Sequence, residues 1–276
     1  MLKLTRNWTP AGQGSRKRRD SCLALATWNR PRRTILTTAL YVDAAAQMAL
    51  TRRMDSLAFN LANANTTGFL SEGLKFDSVL STTGGANVAF PNAGGNYISL
   101  AHGAMRKTGN ALDVAVRGDG WLSVLTPAGP AYTRDGRLQI DAGGSVRSIA
   151  GYPVLDAGGA PLAVDASAGE VSIAADGAIS QRGKTVGILG LFSLEPDARL
   201  SRHDNSSVLS DREATPVTPS SRAGLMQGFL EQSNVNPLLE LTKMIEIQRT
   251  FDHISACLNM TDNAQQDAIR TLGAQT

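Results

Sequence analysis

The sequence has few of the residue types that most often carry enzyme chemistry. Its 276 residues include two cysteines, three histidines and only 5% aromatic residues. Two cysteines, Cys22 and Cys257, are too few for a disulfide framework or a cysteine-rich metal site. The histidines are dispersed, and the motifs H-E-x-x-H, C-x-x-C and G-x-S-x-G do not occur. The composition therefore favours a non-enzymatic protein that uses no cofactor and no metal.

Long apolar runs are also missing. A membrane-spanning helix needs about 18 or more consecutive apolar residues, and none is present, so no membrane insertion is predicted. The short apolar stretch 22–28 is closed off by arginines, so we expect no cleaved signal peptide.

Charge is unevenly distributed along the chain. Residues 1–36 hold nine of the 27 Lys and Arg residues and a single acid, Asp20, so the remainder of the chain is acidic. The basic residues show no helical or strand periodicity. We therefore interpret 1–36 as a disordered extension, and we predict no nucleic-acid binding.

Two long helices are predicted, one on each side of the chain's centre. In 37–67, Leu50, Met54, Leu57 and Leu61 recur at helical spacing, and Gly68 follows as a stop signal. The second helix is predicted at 236–272, where Asn236 suits the N-cap and a proline follows it.

The second helix carries its apolar residues at spacings of mostly three and four. They are Leu238, Leu241, Ile245, Phe251, Ile254 and Leu258. A helix with a single apolar stripe is not stable alone in water. The two helices are therefore predicted to pair as a coiled-coil-like stalk, with Ile245 in the seam.

An antiparallel β-rich domain is predicted between the helices, which makes the fold class α+β. Turn signals such as 143–144, 158–159 and 176–177 recur roughly every 8–12 residues. One hairpin is predicted to join 112–116 to 121–125, and a second to span 132–140. Residues 82–97 and 200–222 are predicted to be loops. The segment GAISQRGKT (177–185) resembles a phosphate-binding loop, but its spacing is wrong and a strand follows, so a hairpin turn is predicted.

These elements divide the chain into four parts. They are the basic extension 1–36, an N-terminal helix with its following loop at 37–80, the central β-rich domain at 81–226, and the C-terminal helix at 227–276.

Three segments together resemble one known family. They are NLANANTTGF (60–69), the central TGNALDVAVRGDGWLSVLTPAGPAYTRDGRLQID (108–141), and QGFLEQSNVNPLLELTKMIEIQRTFD (227–252). With these motifs, in this order, the chain resembles the flagellar basal-body rod proteins over about 38–272. RTFDHISACLNMTDNAQQ (249–266) and VGILGLFSL (186–194) are more similar to the proximal-rod form, the F-type, than to the distal form.

The chain departs from the family pattern at three places. Phe59 replaces the first Asn of the usual N-N-L-A-N, and Leu70 stands where Lys is usual. Residues 1–36 have no counterpart in the family, so we expect that the start of translation has been placed too far upstream.

The resemblance implies a structural subunit of the proximal rod in the bacterial flagellar basal body. Copies would stack helically with each other and with other rod subunits, and would transmit torque to the hook and filament. The rod would cross the periplasm, and its subunits would be exported through the flagellar type III export apparatus without a cleaved signal peptide.

The resemblance also nominates residues for assembly. Asparagine and threonine side chains at a helix end can satisfy open backbone carbonyls or bond to a neighbouring subunit, and we expect the second role for the asparagines. The assembly residues are Asn60, Leu61, Asn63, Asn65, Thr67, Gly68, Phe69, Asn234, Asn236, Leu241, Ile245, Arg249 and Phe251.

Three alternatives remain open from the sequence. The chain could be the distal rod subunit or another hook or rod protein. It could be an enzyme with a concave site on the β domain. It could bind nucleic acid through 1–36, in which case binding would depend steeply on salt concentration.

Overall fold

A computed structural model describes residues 32–83, 86–217 and 223–274 of the chain. The predictions made for residues 1–31 lie outside this part. Two long helices flank a series of short strands, so the α+β fold class is confirmed.

The helices are α1 (Arg32–Ala62) and α2 (Pro237–Gly273). The predicted N-cap of α2 is confirmed, because Oδ1 of Asn236 accepts hydrogen bonds from the backbone N–H groups of Leu238 and Leu239, at 3.1 and 3.3 Å. Helix α1 begins earlier than predicted and also ends earlier, since residues 63–68 form turns instead of a last helical turn.

The strands between the helices are short, apart from the first two, and the described strand pairs are antiparallel. The strands are β1 (Glu72–Thr83), β2 (Ala86–Ile98), β3 (Met105–Lys107), β4 (Val114–Arg117), β5 (Trp121–Thr126), β6 (Gly129–Thr133), β7 (Leu138–Ile140), β8 (Val146–Ser148), β9 (Val171–Ile173), β10 (Ala178–Gln181), β11 (Lys184–Ile188), β12 (Leu191–Ser193), β13 (Leu200–Arg202), β14 (Ser207–Ser210), β15 (Thr215–Pro216), β16 (Gly224–Gln227) and β17 (Phe229–Glu231).

The largest sheet has six strands in the order β13-β14-β6-β5-β12-β15. A second sheet has the order β11-β10-β9. The pairs β1-β2, β7-β8, β16-β4 and β17-β3 complete the domain. The last two pairs matter most for the site, because they join the strands just before α2 to strands in the first half of the domain.

Both predicted hairpins in 112–140 are wrong in their pairing, although their strands exist. Strand β4 pairs with β16, and β5 pairs with β6 and β12. Strand β7 pairs with β8 and not with β6. The first three residues of β4 are fully buried, so this strand needs neighbours from distant parts of the chain. A local turn signal cannot reveal such a partner.

The two predicted loops also contain strands. Residues 82–97 belong largely to the long β1-β2 hairpin, whose register runs from Glu72 opposite Ile98 to Thr83 opposite Ala86. Residues 200–217 contain β13, β14 and β15. In both places the pairing uses backbone hydrogen bonds, which a Gly- and Asn-rich or polar composition does not rule out.

The hairpin predicted at GAISQRGKT is confirmed. Strands β10 and β11 pair with Gln181 opposite Lys184. The two connecting residues, Arg182 and Gly183, have φ of 50° and 74°. Positive φ at both central residues belongs to the turns that match the twist of a two-residue hairpin.

The main hydrophobic core lies between these sheets, and its buried residues include Val114, Leu122, Val154, Ile179 and Leu189. A second cluster packs Leu70 against Trp121, Tyr132, Phe192, Val208 and Ala214. Because Leu70 directly follows the motif NLANANTTGF, the second cluster anchors the N-terminal segment to the β domain.

Replacing a core residue should cost far more stability than replacing its exposed neighbour on the same strand. Leu122 is 1% exposed and Leu125 is 41% exposed, both on β5. Leu122→Ala should lower the free energy of unfolding by about 2–5 kcal/mol. Leu125→Ala should change it by about 0.5 kcal/mol or less. Urea denaturation measures both values, and equal losses would contradict this placement of the core.

Candidate functional site at the junction of the terminal motifs

The end of α1 and the start of α2 meet through Asn60. This side chain is 2% exposed. Its Nδ2 donates to the carbonyl oxygen of Glu72 at 2.8 Å and lies 3.3 Å from Oε2 of Glu240, while its Oδ1 accepts from the N–H of Glu72 at 2.8 Å. One amide therefore binds α1, the start of β1 and the first turn of α2 together.

Asn63 closes the end of α1. Its Nδ2 donates to the carbonyl oxygen of Phe59 at 3.0 Å, and its Oδ1 accepts from the hydroxyl of Thr66 at 3.1 Å. The carbonyl oxygen of Phe59 also accepts from the backbone N–H of Asn63 at 3.2 Å, so Asn63 closes the last turn of α1 with both its backbone and its side chain.

The burial of Asn60 and Asn63 differs from the expected contact with a second subunit. Both side chains are buried and bonded within one chain, so they act at the junction and not at an exposed surface. Asn65 is exposed, and its expected role in assembly stays a prediction.

At Gly68 the N-terminal motif comes close to the backbone of the β domain. Its φ is 66°, and its N–H donates to the carbonyl oxygen of Glu231 at 2.8 Å. A Cβ at this position would lie 2.3 Å from the backbone nitrogen of Asp135. Only glycine combines this conformation with this contact.

Asn234, in the C-terminal motif, also bonds backbone groups near the N-terminal motif. Its Oδ1 accepts from the N–H of Ser71 at 2.7 Å. Its Nδ2 donates to the carbonyl oxygens of Ala101, at 2.8 Å, and Ser99, at 3.3 Å. Its own N–H bonds to the carbonyl oxygen of the buried Phe69. The two terminal motifs therefore satisfy each other's backbone groups.

A buried ion pair lies beneath this contact. Glu231 is fully buried, and its Oε2 lies 3.2 Å from an NH1 nitrogen of the buried Arg134. Its Oε1 accepts from the N–H of Gly103 at 2.9 Å. The guanidinium of Arg134 also donates to the carbonyl oxygen of Gly118 and lies over the ring of Trp121. Losing one partner would leave an uncompensated charge in the interior.

Sequence reasoning missed Glu231 and Arg134 as members of the site. Glu231 lies within the C-terminal motif, which was a usable signal. Arg134 lies 97 positions away along the chain, and nothing in its local sequence indicates the pairing.

The two helices lie side by side beyond the junction. The amide nitrogen of Gln47 donates to the hydroxyl of Ser255 at 3.0 Å, while Asn60 contacts Glu240. Residue numbers rise along α1 as they fall along α2, so the helices run antiparallel. The buried residues of α2 are Glu240 and Ile247, and Met244, Phe251 and Ile254 are half-buried on the same face.

The placement of Leu241 and Ile245 in the helix seam is wrong. They are 43% and 50% exposed, and together with Leu238 they form an exposed apolar patch on the first turns of α2. The helix has two apolar faces, whereas a single apolar stripe was predicted from the sequence. Phe251 belongs to the seam face, whereas Leu241 and Ile245 belong to the exposed one.

The other nominated residues fall into three exposure groups. Thr67, Gly68 and Phe69 are buried in the junction. Leu61 and Asn234 are half-buried. Asn65, Asn236 and Arg249 are exposed.

A cleft of about 300 Å³ adjoins the junction, between α1, the start of α2 and the base of the β1-β2 hairpin. Its carboxylates are engaged in the fold, since Glu240 pairs with Lys243 at 2.7 Å and Glu72 with Arg202 at 3.6 Å. Within residues 32–83, 86–217 and 223–274, no cluster of His, Cys, Asp or Glu could hold a metal ion. In the same ranges, no helix has the length and hydrophobicity that crossing a bilayer requires.

Replacing Gly68 should destabilise the protein more than replacing a glycine that shares only its backbone conformation. Gly159 has a φ of 81° but no atom within 4 Å of an added Cβ. Gly159→Ala should therefore cost about 1–2 kcal/mol of stability from backbone strain alone. Gly68→Ala should cost roughly 1–3 kcal/mol more, because the methyl group meets backbone atoms.

Thermal or urea unfolding of the two variants measures this difference. Equal costs at the two positions would show that the close approach of Gly68 to Asp135 does not exist.

Family models match all three motif regions of the chain. The flagella basal body rod protein model matches residues 40–69, and the flagellar hook protein FlgE/F/G D1 domain model matches 115–181. The flagellar basal body rod FlgEFG protein C-terminal model matches 226–271. The first and last models contain the two motifs that form the junction.

Whole proteins match over nearly their full length. The flagellar basal-body rod protein FlgF of Mesorhizobium japonicum is 45% identical over 238 residues, which cover 86% of this chain and 99% of that protein. FlgF of Rhizobium meliloti is 44% identical over 238 residues, which also cover 86% of this chain and 99% of that protein. FlgG of Bacillus subtilis is 29% identical over 257 residues, covering 84% of this chain and 97% of that protein. The predicted likeness to the F-type is therefore confirmed, and the chain belongs to the flagellar basal-body rod protein family as a structural, FlgF-like member and not an enzyme.

Proposed function

We propose that this chain is a subunit of the proximal rod, stacked helically with copies of itself and with other rod subunits to transmit torque to the hook and filament. The observation that carries the proposal is the match to FlgF proteins along almost their whole length. The junction supports it, because it ties the two long helices to the β domain in one unit.

The paired helices would form a coiled-coil-like stalk. The inward face of α2 repeats at spacings of three and four through Glu240, Met244, Ile247, Phe251 and Ile254, which is the spacing of a coiled-coil seam. The hydrogen bond between Gln47 and Ser255 supports this pairing. Glu240 at one seam position is polar and has Asn60 as its partner across the helices.

The exposed apolar patch of Leu238, Leu241 and Ile245 would contact a neighbouring rod subunit. Apolar side chains on the outer face of a helix gain stability when another chain covers them. Contacts that repeat head to tail without closing a ring produce a helical filament. Asn65, Asn236 and Arg249 are exposed near the same end of the stalk and would add polar contacts.

The place of the subunit in the cell follows from the same proposal. The rod would cross the periplasm, and the chain would reach it through the flagellar type III export apparatus without a cleaved signal peptide. Nucleic acid is not among the proposed partners.

A charge in the apolar patch should block assembly without unfolding the subunit. Ile245→Asp places the charge on a half-exposed side chain, so the melting temperature of the purified protein should barely change. Covering that charge with a second subunit would be strongly unfavourable, so the variant should be missing from the rod. Mass spectrometry of purified flagellar basal bodies measures its incorporation, together with swimming assays.

Thr250→Asp is the matched control, because Thr250 is exposed and lies about 140° around α2 from Ile245. It should be incorporated normally. Normal incorporation of Ile245→Asp would remove the patch from the interface, and absence of the unmodified protein from basal bodies would refute the proposed function.

A further inference from the structure

One arginine reaches from the β domain onto the junction. Arg202 ends β13, which is the edge strand of the six-stranded sheet. Its guanidinium carbon lies 4.5 Å from the ring centre of Phe69 and 5.4 Å from that of Phe59. Both distances lie within the range of about 6 Å over which a cation is attracted to an aromatic face. Phe59 belongs to α1, so this side chain connects the sheet to the helix.

Polar contacts fix the same guanidinium in position. Its NH2 nitrogen donates to the carbonyl oxygen of Leu70 at 2.5 Å, and its NH1 nitrogen donates to that of Asn205 at 3.0 Å. Its Nε lies 3.6 Å from Oε2 of Glu72. Burial lowers the pKa of Arg202, and the charge of Glu72 opposes that shift. The planar group therefore has partners in α1, in the turn after it, in β1 and in its own loop.

The aromatic rings also contact each other. Phe59 and Phe69 have ring centres 5.6 Å apart and planes inclined at 61°, which is an edge-to-face arrangement. Phe69 is fully buried. The ring of Phe59 is thus held by Phe69 on one side and by Arg202 on another.

Two of the chain's departures from the family pattern meet at this arginine. Phe59 stands where the pattern has Asn, and its ring receives the guanidinium. Leu70 stands where the pattern has Lys, and its side chain is buried in the cluster with Trp121 and Tyr132. A lysine at 70 would add a second positive charge near the buried guanidinium, which leucine avoids.

We propose that Arg202, held between Phe59 and Phe69, is a positioning residue that fixes the angle between the helical stalk and the β domain. Asn60, Gly68 and Asn234 bind backbone groups close to the point where the chain turns, so they form a pivot. Arg202 adds a side-chain contact between Phe59 of α1 and the edge strand of the sheet. The end of the helix is then attached to the β domain through a side chain as well as through backbone groups, and the two kinds of attachment together resist rotation. In the rod, a fixed angle would let the stalk pass torque to the β domain. This torque role rests on the proposed function, whereas the fixed angle does not.

The experiment measures a distance across the junction in the full chain. Cys257 is exposed on α2 and takes one spin label. Thr185→Cys, at an exposed position of β11, takes the second, and Cys22→Ser removes the other cysteine. Pulsed electron paramagnetic resonance then gives the distribution of distances between stalk and β domain in this parent protein.

Arg202→Ala should broaden the distribution while the helix content by circular dichroism stays unchanged. Arg202→Lys keeps the charge but loses the planar fork, so it should also broaden it. Phe59→Asn should also broaden the distribution. Combining it with Arg202→Ala should broaden it little further, because both substitutions remove the same contact between Phe59 and Arg202. Arg212→Ala is the control, since Arg212 pairs with Glu195 at the surface of the same domain and should leave the distribution narrow.

A parent distribution as broad as that of Arg202→Ala would overturn the proposal. An Arg202→Ala distribution as narrow as the parent's would also overturn it. Basal bodies and swimming test the torque role separately: a broadened distribution with normal swimming would refute that role and keep the fixed angle. Absence of the unmodified protein from basal bodies would refute the proposed function and leave the distance result standing.

Discussion

The structure depends on the contact between the two terminal motifs, which lie far apart in the sequence and satisfy each other's backbone groups. Gly68 lies against the backbone of Asp135 and donates to Glu231, while Asn60 and Asn234 bond the segments on either side. Asn60 and Gly68 are buried, so losing one of their bonds would leave an unsatisfied donor or acceptor. The positions of both helices relative to the β domain follow from this contact.

Local signals in the sequence were sufficient for the helices and for some turns. The N-cap at Asn236 and the hairpin at Arg182 and Gly183 were predictable, because a few adjacent residues determine them. The pairing of β4 with β16 was not predictable, because its partners are more than a hundred residues apart. Each strand is compatible with several neighbours, and only the packing of the whole domain selects one.

Local sequence was also insufficient to predict the partners of the residues in the junction. The motif asparagines were recognised, but the partners of Asn60 and Asn63 lie in the same chain, and the composition of a helix end does not distinguish that from contact with another subunit. Ile245 was misplaced because α2 has a second apolar face. That face is exposed in one chain, and we propose that a neighbouring rod subunit covers it.

The most direct test of the central claim asks whether both helices of one chain lie together in the rod. Gln47→Cys and Ser255→Cys, placed at the side chains that share a hydrogen bond, would be oxidised in purified basal bodies of a strain whose protein also carries Cys22→Ser and Cys257→Ser. A junction within one chain predicts a disulfide-closed monomer on a non-reducing gel. Disulfide-linked dimers and longer ladders, or no disulfide at all, would contradict it.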